Sequence, residues 1–175
     1  MNFFMRRFNL YLLLLGGGWL AAGCQLADRM NREPAALRVH LQNPETVSAG
    51  ETVQVLRSQP MLVHIAADPI LTEFHVSGAK LVESAGGFAV EIQFNRTGAL
   101  MLEQYTSANP GKHFAIFGQW SDKAADGRWL AAPLISHRIA NGQLSFTPDA
   151  SREEAEQLVL GLNNAAKKFR KQLLK

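Results

Sequence analysis

The sequence predicts an α+β domain: a mixed or antiparallel sheet with a short helix and a long C-terminal helix packed on it. Three observations carry this. Phe88, Val90, Ile92 and Phe94 alternate with Ala89, Glu91, Gln93 and Asn95, the period of a half-buried strand. His113 to Trp120 is nearly unbroken apolar sequence, as expected of a central strand covered on both faces. Ser151-Arg152-Glu153-Glu154 is a capping-box pattern, and Ala155, Leu158, Val159, Leu162, Ala166, Phe169 and Leu173 follow it on one helical stripe.

The elements fall in order from Leu37. Leu37, Val39 and Leu41 alternate with polar neighbours in a first strand, and Asn43-Pro44-Glu45 is a turn. Val53 and Val55 mark a second strand after Gly50. Met61, Val63 and Ile65 mark a third. Pro69 to Glu73 reads as a bend, and a further strand is centred on Ala79 to Val82. Gly86-Gly87 signals a hairpin into the Phe88 strand. Thr97 is placed to cap a helix through Tyr105, which Asn109-Pro110-Gly111 ends. Ser121 to Gly127 is polar and reads as an exposed loop. Trp129 to Ile135 resumes as a strand, and Pro133 argues for an edge or a bulge there. Asn141-Gly142 is a tight turn before a last strand, Leu144 to Thr147. Gly161 weakens the final helix by about 1 kcal/mol relative to alanine, which points to close packing.

A chain of 175 residues with 47% apolar content has room for one domain plus a leader. Residues 1–23 have the three parts of a secretory signal: Arg6 and Arg7, the apolar Leu10 to Leu15 and Trp19 to Ala22, and small residues before a cut. The apolar run is short of the roughly 20 residues that span a bilayer. The formal charge is +3; without Arg6 and Arg7 it falls to +1. No basic stripe with interleaved aromatics remains, so nucleic acid is not an expected partner.

Cys24, the single cysteine, follows Leu20-Ala21-Ala22-Gly23. That stretch resembles the lipobox of bacterial lipoproteins, with Ala21 where leucine is usual. The resemblance implies cleavage before Cys24, a lipidated thiol carrying palmitate-type acyl chains, and a mature protein held on the periplasmic side of a membrane. Acylation contributes about 0.8 kcal/mol per buried methylene, so several chains hold without a helix. Gln25, rather than aspartate, after the cysteine implies the outer membrane in preference to the inner. Residues 24–36 then form a polar tether, and residues 37–175 the domain.

From Pro69 to Leu162 an ordered series of residues resembles the head subdomain of the first periplasmic domain of SecD. It runs through Leu71-Thr72-Glu73, Ala79, Val90 to Phe94, Gly98-Ala99, Thr106 and Gly111-Lys112. It continues through His113 to Phe117, Pro133, Ile135, Ile139, Gly142, Phe146, Glu154-Ala155, Leu158 and Leu162. The resemblance implies a sheet with helices packed on it and contact with unfolded polypeptide. Ser121 to Asp126 is longer than the turn the family has between those strands. Function still has to be argued from sites.

Catalytic chemistry finds little footing. His40, His64, His75, His113 and His137 stand singly, without zinc spacing, and no cofactor is expected. Ser136-His137 would face opposite ways on a strand and so could not act as nucleophile and base. Asp122 and Asp126 flank a loop. Trp120, Trp129, Leu130 and Leu134 are the candidate partner-binding residues, along a strand edge that could accept an extended peptide by main-chain hydrogen bonds. The expectation is a non-catalytic, membrane-anchored binding module for exported or unfolded polypeptide. The alternative is an assembly subunit docked on one envelope complex. Lys167 to Lys175 is a basic helix end, read as a solvated terminus or as a contact for anionic lipid.

Overall fold

A computed structural model describes residues 35–43, 50–121 and 126–173. These belong to a compact unit spanning Glu33–Lys175. The leader, Cys24, Pro44-Glu45 and most of the Ser121 to Gly127 loop lie outside the described residues.

The elements run β1 (Ala36–Leu41), β2 (Glu51–Val55), β3 (Met61–Ile65), β4 (Leu71–Thr72), a 3₁₀ turn (Glu73–His75), β5 (Val76–Ser84) and β6 (Gly87–Phe94). Then come α1 (Arg96–Ala108), β7 (Phe114–Gln119), β8 (Gly127–Ala131), β9 (Gln143–Phe146) and α2 (Arg152–Leu173). Their pairing is antiparallel throughout, in three sheets ordered β4-β1-β7-β8, β2-β3 and β5-β6-β9. The fold class is therefore α+β with antiparallel sheets and a long C-terminal helix, divided among three sheets.

Alternation decides which faces are buried. Leu37, Val39 and Leu41 of β1, Phe114 and Ile116 of β7, Val90, Ile92 and Phe94 of β6, and Leu144 and Phe146 of β9 enter one core with Leu102 of α1 and Leu158 and Leu162 of α2. The opposite face of β7 is covered too. Ala115 packs with Val53, Val55, Val63 and Ile65 of the β2–β3 hairpin in a second cluster. This double coverage explains the unbroken apolar run from His113 to Trp120. The main core is supplied wholly by residues 35–162, so the unit carries its own core.

Local chemistry places the ends. Asn95, not Thr97, caps α1: its side-chain oxygen accepts the Gly98 N–H at 3.0 Å, one residue before the first helical turn. The Ser151 box forms as expected. Glu154 N–H donates to Ser151 Oγ at 3.2 Å, and Ser151 N–H donates to the Glu154 carboxylate at 2.8 Å. The bend at Pro69 to Glu73 includes the short β4, paired with Arg38 and Val39. β5 runs nine residues, well beyond Ala79 to Val82. The strand expected from Trp129 to Ile135 is regular only to Ala131, is interrupted at Pro133, which has no N–H for the ladder, and pairs again at Leu134 with His113.

The packed chain starts before Leu37. Ala35 is 3% exposed and lies on Gly161 of α2, where an added Cβ would come within 2.6 Å of the Ala35 Cβ. That contact is the close packing that a glycine inside a helix implies.

Candidate functional site

The strands that end a sheet include β8 and β9. The β8 edge is occupied. Asp149 N–H donates to Leu130 O at 2.8 Å, and Arg128 Nε donates to Asp149 O at 3.0 Å. The Trp129 to Ile135 region is thus an edge by sheet order but is capped by the segment before α2.

The β9 edge differs. Among the described residues β9 pairs with β6 alone. Phe94 N–H donates to Gly142 O at 2.9 Å, which fixes the ladder phase. Ile92 with Leu144 and Val90 with Phe146 are the hydrogen-bonded pairs, so the backbone groups of Gln143 and Ser145 point away from β6. Gln143 N–H is met locally by the Asn141 side-chain oxygen at 3.0 Å. The Ser145 N–H and C=O have no protein partner among the described residues, and its side chain is exposed.

A groove of about 470 Å³ lies along this edge, lined by Gln143 and Ser145 on one side and by Leu134, Ser136, His137 and Ile139 among others on the other. That volume is within the range of ligand-holding clefts. Its far wall is fixed although it is not a strand. Ile135 N–H donates to Lys112 O at 2.8 Å, and Gly111 N–H to Ile135 O at 2.9 Å. Ile139 N–H donates to the buried Thr106 hydroxyl at 3.0 Å, which itself donates to Leu102 O at 2.7 Å. Arg138 pairs with Glu103 on α1. Gln93 Nε2 donates to Asn141 O and Gly142 O, holding the turn that leads into β9.

The four sequence-derived residues do not form one patch. Leu130 is fully buried and Trp120 is 9% exposed, both in the main core, with the Arg128 guanidinium 4.7 Å over the Trp120 ring. Neither can grip a partner, because the Leu130 side chain projects to the inner face of β8. Trp129 projects to the opposite face, beneath the β2–β3 hairpin, edge-on to His40 and Phe117 at 5.4 and 5.5 Å. It is half-buried and lines a separate cleft of about 530 Å³. Leu134 is 55% exposed and lines the β9 groove. The β9 edge, Gln143 and Ser145, lies outside these four residues; its trace in the sequence is the alternation of polar Gln143 and Ser145 with apolar Leu144 and Phe146.

Each histidine has a hydrogen-bond partner: Ala66 O for His40, Thr52 for His64, Thr72 for His75, Gln42 for His113 and Ser136 for His137. Ser136 Oγ and His137 Nδ1 are 2.9 Å apart, contrary to expectation, since this segment is not a strand and the two side chains need not alternate. Both are exposed, and no third side chain orients the imidazole among the described residues, which a nucleophile–base pair requires. No cluster of metal-ligating side chains occurs among the described residues.

Charge concentrates behind β8 rather than in the groove. Asp149 accepts the Arg57 N–H at 2.7 Å and a two-pronged contact from the Arg57 guanidinium, and Glu154 pairs with Arg128. Hydrogen bonding to Arg57 holds the Asp149 carboxyl below its usual value, against a smaller opposing effect of burial. Burial raises the Glu154 carboxyl, but the Ser151 N–H and Arg128 outweigh it and leave it lowered. These pairs tie the β2–β3 hairpin and β8 to the start of α2.

The architecture defines an antiparallel head-type module whose groove offers backbone hydrogen bonds rather than reactive side chains. Residues 49–166 match the family described as SecDF, P1 head subdomain, and the chain belongs to that family. Protein translocase subunit SecD of Rhodobacter capsulatus is 31% identical over 127 residues, covering 71% of this chain and 22% of that protein. SecDF of Thermus thermophilus is 32% identical over 99 residues, covering 56% of this chain and 12% of its own length. The chain thus spans about a fifth or less of the curated relatives it matches. A solved structure of SecDF, described as a membrane component that enhances protein export, shares the fold. Its TM-score is 0.56 at 23% identity, covering 82% of this chain and 68% of that one. Among the described residues no helix is long and apolar enough to cross a membrane.

Proposed function

We propose that this domain is a membrane-anchored, non-catalytic receptor for extended polypeptide on the periplasmic side, in support of protein export. The observation that carries the reading is the unpaired edge of β9, which lies open beside a groove with a rigid far wall. A chain laid against Ser145 would gain main-chain hydrogen bonds that any sequence can make, while Leu134 and Ile139 favour apolar side chains. Sequence-tolerant capture of that kind suits exported chains before they fold. Membership in the SecDF head family supports it, since relatives that carry the module are translocase subunits. We assign the anchor to a lipid on Cys24, which would hold the domain at the bilayer.

Ser145→Pro tests the edge. Proline removes a donor that no protein group uses and is tolerated on edge strands, so the fold should survive. Binding of a permanently unfolded polypeptide, read by fluorescence anisotropy, should fall at least severalfold. A domain that binds unfolded polypeptide undiminished would remove β9 from the account, and selective capture of one folded partner would favour an assembly role instead.

A further inference from the structure

The end of the domain from which the tether departs carries an unpaired basic and aromatic surface. Ala35, pinned on Gly161, fixes where the chain leaves the fold, and Ala35 and Ala36 share a recess with Lys168 and Phe169 of α2. Beside it Phe169 meets Phe74 at 4.5 Å between ring centres, and Phe74 is 57% exposed at the tip of the 3₁₀ turn. Lys167, Lys168, Arg170 and Lys171 are all exposed and have no salt-bridge partner among the described residues. The carboxylate of this recess, Glu73, is engaged by the Leu37 N–H at 3.2 Å. Of the other cations, Arg57, Arg128, Arg138, Arg152 and Lys80 each meet a carboxylate, while Arg38, Arg96 and Lys112 stand singly and do not form a cluster of this kind among the described residues.

We propose that this end, Phe74 with Phe169 and the four basic residues that follow Ala166, rests on the anionic lipid surface of the membrane to which the domain is tethered. The inference builds on the reading of Cys24 as the anchor. From Cys24 to Ala35 the chain can reach at most about 36–40 Å, so the exit point stays close to the bilayer. Positive charge and an exposed aromatic pair at that point match an anionic headgroup layer over an apolar boundary. An acidic protein surface would match the charge but gives no reason for the cluster to sit where the tether leaves. Docking by this end would fix the orientation of the domain on the bilayer.

The test uses the self-contained unit, residues 33–175, which lacks Cys24 and so binds lipid through this surface alone. It is cosedimented with vesicles of phosphatidylcholine, with and without phosphatidylglycerol, at low and high salt. Binding should require phosphatidylglycerol and weaken with salt. Joint replacement Lys167→Gln, Lys168→Gln, Arg170→Gln and Lys171→Gln should reduce it more than about tenfold, since each charge near such a surface is worth about 1 kcal/mol. Phe74→Ser should reduce it severalfold. Equal binding to pure phosphatidylcholine, indifference to the charge replacements, or no vesicle binding at all would overturn the proposal; the last would assign the surface to an acidic protein. Failure of the anchor reading has its own signature, a full chain with Cys24→Ala that stays with membranes.

Discussion

Replacing Leu134 by serine removes the largest exposed apolar group of the β9 groove while leaving its backbone in place. Leu134 is 55% exposed, so a bound polypeptide could cover about half of the side chain. Full burial of a leucine is worth about 1.5–3 kcal/mol, and that share of it is about 0.8–1.7 kcal/mol. Affinity for unfolded polypeptide should therefore fall about fourfold to fifteenfold. The side chain contributes little to the core, so the unfolding midpoint should stay close to that of the parent domain. Titration of a labelled, non-folding polypeptide by anisotropy, with denaturant unfolding run in parallel, separates the two effects. Unchanged affinity would refute the placement of the polypeptide in this groove. A matching loss of stability would show that Leu134 supports the wall rather than the ligand.

Other consequences follow from single contacts. Thr106→Val removes the acceptor for Ile139 N–H inside the wall, which should cost about 1–3 kcal/mol in denaturant unfolding and also weaken polypeptide binding. A stability equal to that of the parent would mean the hydroxyl does not hold the wall. Asp149→Asn tests the clamp between the hairpin and α2. Because the folded carboxyl is held below its ordinary 3.8, its contribution is present above that value and is lost as pH falls through the lower folded one. The difference in melting temperature between parent and variant should hold steady at neutral pH and close in acid. A difference that persists in strong acid would assign the effect to something other than the charge.

Much of this fold is legible because its signals are local or strictly periodic. The alternation from Phe88 to Phe94 gives β6, and the Ser151 box gives the start of α2 through contacts within four residues. The double coverage of β7 is legible in its apolar run. Where tertiary packing decides, the sequence misleads. Thr97 and Asn95 are both competent caps, and only the backbone path out of β6 selects Asn95. Leu130 and Leu134 would share a face on a regular strand, but a bulge at Leu130 shifts the register between Trp129 and Ala131, so one is buried and the other exposed. The β9 edge is hidden in the sequence because its openness is set by tertiary packing. Four residues of alternating polarity do not reveal that β9 has a neighbour on one side alone, whereas the richer Trp129 region is covered by Asp149 and the hairpin.

The Ser145 amide offers the most direct measurement. Its hydrogen exchange can be followed in the intact domain with and without a saturating unfolded polypeptide. Strand addition to β9 predicts that Ser145 exchanges freely alone and becomes protected on binding, while Leu144 and Phe146, already paired with β6, change little. Protection confined to β8 and Trp129, with Ser145 still exchanging freely in the complex, would contradict the account.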